Sequence, residues 1–234
     1  MKRFLLAFVL CGFALASRVP AASQSPQAQA AAPGSQGQTA APDLDEQLFR
    51  AVENADTAAL AQLLAQGAHV DAQNDHGYTP LMAAVVMGRE DMVKLLLDKG
   101  AALALSDKTG RTALHYSAMT GNLEAAKLLL DRNAPVNGKD DRGLTPLMYG
   151  VVSKNVELVN LLLDHGADVK ARDPDGFTSL MAASGGGFAD IVKTLLDHGA
   201  SVNDKSNDGT TALSLATGNN HTDVADLLRA KGAQ

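Results

Sequence analysis

Residues 75–101 read DHGYTPLMAAVVMGREDMVKLLLDKGA, and this stretch predicts two short helices joined by a turn. Thr79 is a suitable N-cap, and Pro80 suits the first helical position because its missing N–H costs nothing there. Leu81 begins an apolar stripe at helical spacing, and Gly88 can take the left-handed conformation that ends a helix. The second helix carries a broad leucine-rich face. Two helices this short cannot bury so much apolar surface alone, so the stretch predicts neighbours of the same kind.

The same pattern returns every 33 residues along the chain. The turn glycine, the capping threonine and the core leucine each occur five times in register: Gly77, Gly110, Gly143, Gly176 and Gly209; Thr79, Thr112, Thr145, Thr178 and Thr211; Leu81, Leu114, Leu147, Leu180 and Leu213. With this period and an intact T-P-L at 79–81 and 145–147, the chain resembles the ankyrin repeat family. That resemblance implies an all-α repeat fold, an α-solenoid of stacked helix–turn–helix units with β-turn tips.

The repeats are predicted to fill residues 43–234. The register divides this domain into six units, which cover residues 43–73, 74–106, 107–139, 140–172, 173–205 and 206–234. The first unit carries Arg50 and Glu53 on its first helix, and the last unit has Arg229 in place of a leucine. Because terminal repeats need a water-facing side, we interpret these two units as the N-terminal and C-terminal caps.

The first 42 residues predict an export signal and a linker. Lys2-Arg3, an apolar run and the small-x-small pattern at 14–16 are typical of a secretory signal peptide over residues 1–16. We expect cleavage and export, to a bacterial periplasm or alternatively by secretion, with no stable membrane insertion afterwards; an uncleaved anchor is the alternative. Cys11, the sole cysteine, lies in this segment, so the mature protein is expected to have no disulfide. Residues 17–42 are rich in Ala, Gln, Ser, Pro and Gly and predict a disordered linker.

Composition disfavours a nucleic-acid partner. The chain has 20 basic and 26 acidic residues, a net charge of −6, and its basic residues form no stripe. A protein that binds phosphates needs clustered positive charge, so we expect no binding to DNA or RNA.

No motif in the chain indicates catalysis, a cofactor or a metal. The six histidines include no H-E-x-x-H pair, and no nucleophile has a base placed beside it by sequence. The glycines at 185–187 lack the G-K-[ST] ending of a phosphate-binding loop and instead predict a shortened first helix. Lys154 stands where glycine ends other first helices, and Asn155 is expected to take that left-handed position. We therefore expect a monomeric protein that is not an enzyme and binds no cofactor or metal.

The family resemblance implies that a partner protein docks on the concave side, through the turn tips and the exposed first helices. Carried over by position, the candidates are Tyr78, Arg111, Leu144 and Phe177 after the turn glycines, and Val86, Met87, Met119, Thr120 and Val152 at the first-helix ends. An apolar stripe with one arginine is typical of an interaction surface. Val86 and Val152 are equally consistent with packing on the next turn, whereas Tyr116 and Tyr149 are expected between repeats. In the position that the family usually gives to histidine, only His115 is kept, and the methionines there are interpreted as core.

Three functions remain open from the sequence. The favoured one is a non-catalytic protein-interaction module that displays a rigid concave surface to an exported or periplasmic partner. The second is a structural spacer or protective scaffold for a periplasmic stress-defence enzyme, suggested by resemblance to exported bacterial ankyrin proteins. The third, a small-molecule binder or enzyme, needs a pocket with converging polar groups that the sequence does not show.

Overall fold

The structure, a computed structural model, describes residues 43–234 and contains twelve α-helices and no strand within that range. The helices are α1 (Leu44–Glu53), α2 (Thr57–Ala65), α3 (Pro80–Val86), α4 (Glu90–Asp98), α5 (Ala113–Thr120), α6 (Leu123–Leu130), α7 (Pro146–Val152), α8 (Val156–Asp164), α9 (Ser179–Gly186), α10 (Ala189–Asp197), α11 (Ala212–Gly218) and α12 (Thr222–Ala230). The predicted all-α repeat architecture is confirmed. The predicted signal peptide and linker lie outside the described residues.

One helix pair lies in each of the six predicted repeats. The odd-numbered helices pack on one another in a first-helix row, and the even-numbered helices form a second-helix row beside it. Neighbouring helices of the first row contact each other more extensively than those of the second row. Within residues 43–234 the stack therefore curves with the first-helix row on its concave side.

Threonine caps fix where the first helices begin. Thr79 accepts a hydrogen bond from the Met82 N–H at 3.2 Å, as the sequence predicts, and Thr145 and Thr178 cap α7 and α9 in the same way. Pro80 follows as the first helical residue of α3. Each cap satisfies a helix-end donor that has no partner within the helix.

The turn tips stack closely from one repeat to the next. The Lys108 N–H donates to the His76 carbonyl at 3.0 Å, and the Asp141 N–H donates to the Thr109 carbonyl at 3.0 Å. Gly77 has a φ of +78°, and a Cβ there would lie 2.9 Å from the Lys108 nitrogen. The repeat therefore requires glycine here for both its conformation and its close approach to the next turn.

Two local expectations about first-helix ends are wrong. Helix α9 is not shortened by its glycines, because it spans eight residues where α3 spans seven. A Cβ at Gly186 would lie 2.5 Å from Cζ of Phe188, so glycine there makes room for an aromatic ring. Lys154 itself takes the left-handed position with a φ of +62°, whereas Asn155 keeps a negative φ and caps α8.

Leucine, alanine and valine form one continuous core through all six repeats. Met82 and Met181 are buried in it, and Met148 is buried as well, which confirms their interpretation as core residues. Tyr116 is also buried, as predicted, whereas Tyr149 is only partly buried. Across residues 43–234, every helix is too short or too polar to cross a membrane.

Candidate functional site

The nine candidate binding residues differ in exposure. Met87 at 43% and Val152 at 38% are the two exposed large apolar side chains in the described part of the chain. Thr120 is also exposed, whereas the rest are only partly exposed: Tyr78, Val86, Arg111, Met119, Leu144 and Phe177. Met87 and Val152 lie at the C-terminal ends of α3 and α7, in the first-helix row. The apolar surface open to a partner therefore lies mainly at the helix ends.

The residues after the turn glycines are partly buried by contacts within the domain. Tyr78 stacks on Tyr116 with a centroid distance of 4.8 Å and an interplanar angle of 54°. Tyr78 and Phe177 also pack against the buried core. Because part of each side chain packs inside the domain, the conformations of Tyr78 and Phe177 are restricted, and the part that faces solvent is held in place.

Arg111 is held in place by the next repeat. Its Nε donates to the Tyr149 hydroxyl at 3.2 Å, and its guanidinium carbon lies 5.8 Å from the Tyr149 ring centroid. The Asp140 carboxylate lies 3.8 Å from the same nitrogen. A guanidinium over an aromatic face gains electrostatic stabilisation from the ring. The fold thus orders the side chain before any partner arrives.

Asp140 is the buried centre of this cluster, with its side chain only 1% exposed. One carboxylate oxygen accepts the backbone N–H groups of Arg142 at 3.0 Å and Leu144 at 2.8 Å. The other accepts the Tyr149 hydroxyl at 2.7 Å, and Arg142 Nε lies 3.6 Å away. Burial, followed by the bond to Asp140, raises the pKa of Tyr149, so this hydroxyl remains a donor over a wider pH range.

The same arrangement occurs one repeat earlier. The Tyr116 hydroxyl donates to the Asp107 carboxylate, which also accepts the N–H groups of Thr109 at 2.8 Å and Arg111 at 3.0 Å. Burial alone would raise the pKa of Asp107, but the hydrogen bonds from Tyr116, Arg111 and Thr109 outweigh it and lower the pKa. The sequence reasoning missed both pairs. The sequence feature that marks each pair is an aspartate at the turn followed nine residues later by a tyrosine.

His115 links its own cap to the following repeat. Its Nδ1 accepts the Thr112 N–H at 3.1 Å, and its Nε2 faces the Leu144 carbonyl at 3.3 Å, so the ring is neutral with its proton on Nε2. Its ring meets Tyr149 edge-on at 6.0 Å. Burial lowers the pKa of His115, which agrees with this neutral form.

Comparison with known proteins places these repeats in a family. The family model described as "Ankyrin repeats (3 copies)" matches residues 36–107, 103–173 and 166–234. The chain belongs to the ankyrin repeat family. Ankyrin repeats are generally protein–protein interaction modules, and solenoids of this kind bind through extended concave surfaces.

One curated relative shares part of this ankyrin domain. The human 2-5A-dependent ribonuclease is 47% identical over 64 residues, which are 27% of this chain and 9% of that protein. The match therefore covers less than a tenth of the relative's length. It supports the ankyrin repeat and carries no argument about ribonuclease activity here.

The ankyrin domain offers little that resembles a small-molecule site. A shallow depression of 370 Å³ lies between α6 and α8, open to solvent and lined by Leu123, Glu124, Lys127, Glu157, Asn160, Leu161 and Asp164. Over residues 43–234, no group of three or more His, Cys, Asp or Glu side chains could hold a metal ion. His198 Nδ1 donates to the Thr194 carbonyl, 2.9 Å away, near the end of α10. This contact holds the imidazole beside the carbonyl groups at the C-terminal end of the helix.

Proposed function

We propose that this ankyrin protein is an exported, non-catalytic interaction module that displays its first-helix row to a partner protein. The observation that carries the proposal is the exposure of Met87 and Val152 on the same row of helices. Large apolar side chains at the surface cost free energy in water, and a single extended partner that lies along the row could cover both. The signal-like residues 1–16 support export, to a bacterial periplasm or by secretion.

Pre-ordering of the surface supports rigid display as the mechanism. Arg111 is fixed by Tyr149, and Tyr78 is fixed by Tyr116, so neither side chain has to be ordered when a partner binds. Immobilising a flexible side chain at an interface costs about 0.5–1.5 kcal/mol, and this cost is already met in the folded domain.

Site-specific photocrosslinking tests the proposal. A benzoylphenylalanine placed at Met87 or Val152 in the full-length chain, expressed in its native compartment, is expected to trap one discrete partner. The matched control is Lys127, an exposed residue of α6 in the second-helix row. Equal trapping at Lys127 would show that the wrong face has been chosen, and no discrete adduct at any position would favour a structural spacer.

The export proposal has its own test. Deletion of residues 1–16 is expected to retain the protein in the cytoplasm, while the full-length chain is found outside it with a shortened N-terminus. Cell fractionation and N-terminal sequencing measure both outcomes. A full-length chain that stays in the cytoplasm would contradict export without affecting the binding proposal.

A further inference from the structure

The methionines of the described region differ in exposure, and one of them is open to solvent. Met87 is 43% exposed, whereas four others are buried, with exposures of 7% or less: Met82, Met92, Met148 and Met181. Met119 is partly exposed and packs against the core. Met87 is therefore the thioether of residues 43–234 that a small solute reaches most readily.

Met87 also departs from the kind of residue that this position carries in the other repeats. The residues in register with it are Gly186 and four polar side chains: Asn54, Thr120, Ser153 and Asn219. Met87 follows α3 as its C-cap, and its backbone N–H donates to the Ala83 carbonyl at 3.0 Å. Because the repeat accepts polar side chains at this position, a more polar residue there is compatible with the fold.

An exposed thioether is open to oxidation by a hydroperoxide. The sulfur attacks the terminal peroxide oxygen, so that an S–O bond forms and the O–O bond breaks. The proton of the transferred oxygen passes to the departing oxygen, which leaves as water or an alcohol. The sulfur loses two electrons and the peroxide gains them. The product, methionine sulfoxide, is polar, and methionine sulfoxide reductases return it to the thioether.

Oxidation at Met87 changes the surface that the protein is proposed to display. Met87 and Val152 are the two exposed large apolar side chains of the described residues, so oxidation removes one of the two. A sulfoxide oxygen loses its bound water when an apolar partner covers it, and a polar group buried without a hydrogen bond is unfavourable. A sulfoxide at the buried Met82, in contrast, would disrupt the core.

We propose that Met87 is an oxidation site through which hydroperoxides weaken partner binding while the ankyrin domain stays folded. This inference rests on the proposed protein-binding function and adds its regulation. The thioether form binds the partner, the sulfoxide form releases it, and sulfoxide reductases reverse the change.

Peptide mapping by mass spectrometry tests the site. Full-length protein is treated with hydrogen peroxide for increasing times and digested, and the added oxygen is measured at each methionine. Met87 is expected to react about tenfold faster than the buried methionines, with unchanged thermal melting while those methionines are still reduced. Reaction of Met87 at the same rate as the buried methionines would overturn the site and leave the protein-binding function standing.

Photocrosslinking tests the effect on binding. Benzoylphenylalanine at Val152 reports the partner, and the peroxide is removed before the purified protein is mixed with an extract of its native compartment. Oxidation at Met87 is expected to lower the yield of the discrete adduct about tenfold. Treatment with the two sulfoxide reductases, one for each epimer, should restore it. An unchanged yield would overturn the regulation and leave binding standing, whereas no adduct before peroxide would count against both.

Two variants assign the effect to Met87. In Met87→Leu, whose side chain has no sulfur, the adduct yields before and after peroxide should be equal. Met119→Leu is the matched control, because Met119 lies near the end of α5 and packs against the core. The fall in yield after peroxide should persist in this variant. A fall that persists in Met87→Leu, or that is lost in Met119→Leu, would overturn the assignment to Met87.

Discussion

Repeats 3 and 4 differ sharply from repeat 5, although all three follow the same 33-residue pattern. In repeats 3 and 4, buried turn carboxylates receive tyrosine hydroxyls, at Asp107 and Asp140. In repeat 5 the equivalent Asp173 accepts backbone N–H groups at 2.8 and 2.9 Å, and alanine stands where the tyrosine would be. Repeat 5 also buries the hydroxyls of Ser179 and Ser184, neither of which has a hydrogen-bond partner.

The connection to the preceding repeat differs as well. Asn122 and Asn155 each donate from their side chains to a carbonyl of the preceding repeat, at 3.3 and 3.2 Å. The equivalent residue of repeat 5 is Phe188, which cannot donate, and its ring lies 5.1 Å from the Lys154 ammonium instead. The pattern thus sets the backbone, while residues outside the pattern decide where the stack is held by polar contacts. Arg111, Leu144 and Val152 of the proposed binding surface lie in repeats 3 and 4, where these contacts occur, whereas Met87 lies in repeat 2.

The largest expected effect is a loss of stability on removal of a turn carboxylate, and we expect it to be greater at Asp140 than at Asp173. Asp140→Ala removes the acceptor of the Tyr149 hydroxyl and of two backbone N–H groups, together with the buried negative charge that faces Arg111 and Arg142. We expect a loss of about 3–5 kcal/mol in the free energy of unfolding. Asp173→Ala removes only backbone hydrogen bonds to a carboxylate, for which about 1.5–3 kcal/mol is expected. Urea denaturation of the two variants measures the difference. Equal losses would mean that the tyrosine and arginine contacts add nothing to stability.

The next largest expected effect is a gain in stability, at a buried serine of repeat 5. Ser184→Ala removes a buried hydroxyl that has no partner, and Ala118 fills the equivalent position in repeat 3, so the smaller side chain fits the packing. We expect a gain of about 1–2 kcal/mol, the cost of an unsatisfied buried hydroxyl. Ser117→Ala is the matched control, because the equally buried Ser117 hydroxyl donates to the Leu114 carbonyl at 2.8 Å. A gain from Ser117→Ala of the same size would contradict this explanation.

A smaller gain is expected at the left-handed residue between α7 and α8. Lys154 has a φ of +62°, whereas Gly88, Gly121 and Gly187 occupy this position in other repeats. Relief of the left-handed strain is worth about 1–2 kcal/mol. The greater entropy of glycine in the unfolded chain offsets about 0.5–1 kcal/mol of it. In a Phe188→Leu background, which already lacks the contact between the Lys154 ammonium and the Phe188 ring, Lys154→Gly should therefore raise the free energy of unfolding by about 0.5–1 kcal/mol. The reverse change, Gly121→Lys, should lower the free energy of unfolding. If both changes stabilised the protein, or neither did, the explanation by left-handed strain would be wrong.

The fold could be predicted from the sequence because its signal is repeated. Thr79 as a cap, Leu81 in the core and Gly77 in the turn each recur five times, so chance similarity at one repeat does not mislead. The site could be predicted only in part. The sequence is equally consistent with packing and with binding at Val152, since the period does not show which side of a short helix end the next turn covers. The structure leaves it 38% exposed.

Contacts between unlike residues were beyond this kind of prediction. The Asp140–Tyr149–Arg111 cluster joins residues of two repeats, and only two repeats carry the tyrosine. A periodic pattern reports what repeats share, so it cannot show an arrangement that occurs where they differ. The role of the glycines before Phe188 could not be predicted for the same reason. Gly186 makes room for the Phe188 ring, which is a contact with a residue beyond the helix and not a local helix preference.

The smallest expected effect depends on pH and distinguishes His115 from the methionines that take its place in other repeats. Burial holds the pKa of His115 below its ordinary value of 6.5, so between the two values the unfolded chain binds more protons than the folded one. The free energy of unfolding should therefore fall as the pH is lowered through 6.5 and level off below the folded-state pKa. In His115→Met, which copies Met82 and Met148, this fall should be absent.

The comparison of these two variants isolates the histidine. Elsewhere in the chain, the hydrogen bond and charge of Asp45 raise the pKa of His69, which contributes stability at low pH that is lost as the pH rises through its folded-state value. That opposite contribution is present in both proteins and cancels in the difference between their unfolding free energies measured from pH 5 to pH 8. The difference should change only on the acid side of neutrality. A difference independent of pH would mean that the folded protein accommodates a charged His115, and the neutral bridge to the Leu144 carbonyl would not be what links repeats 3 and 4.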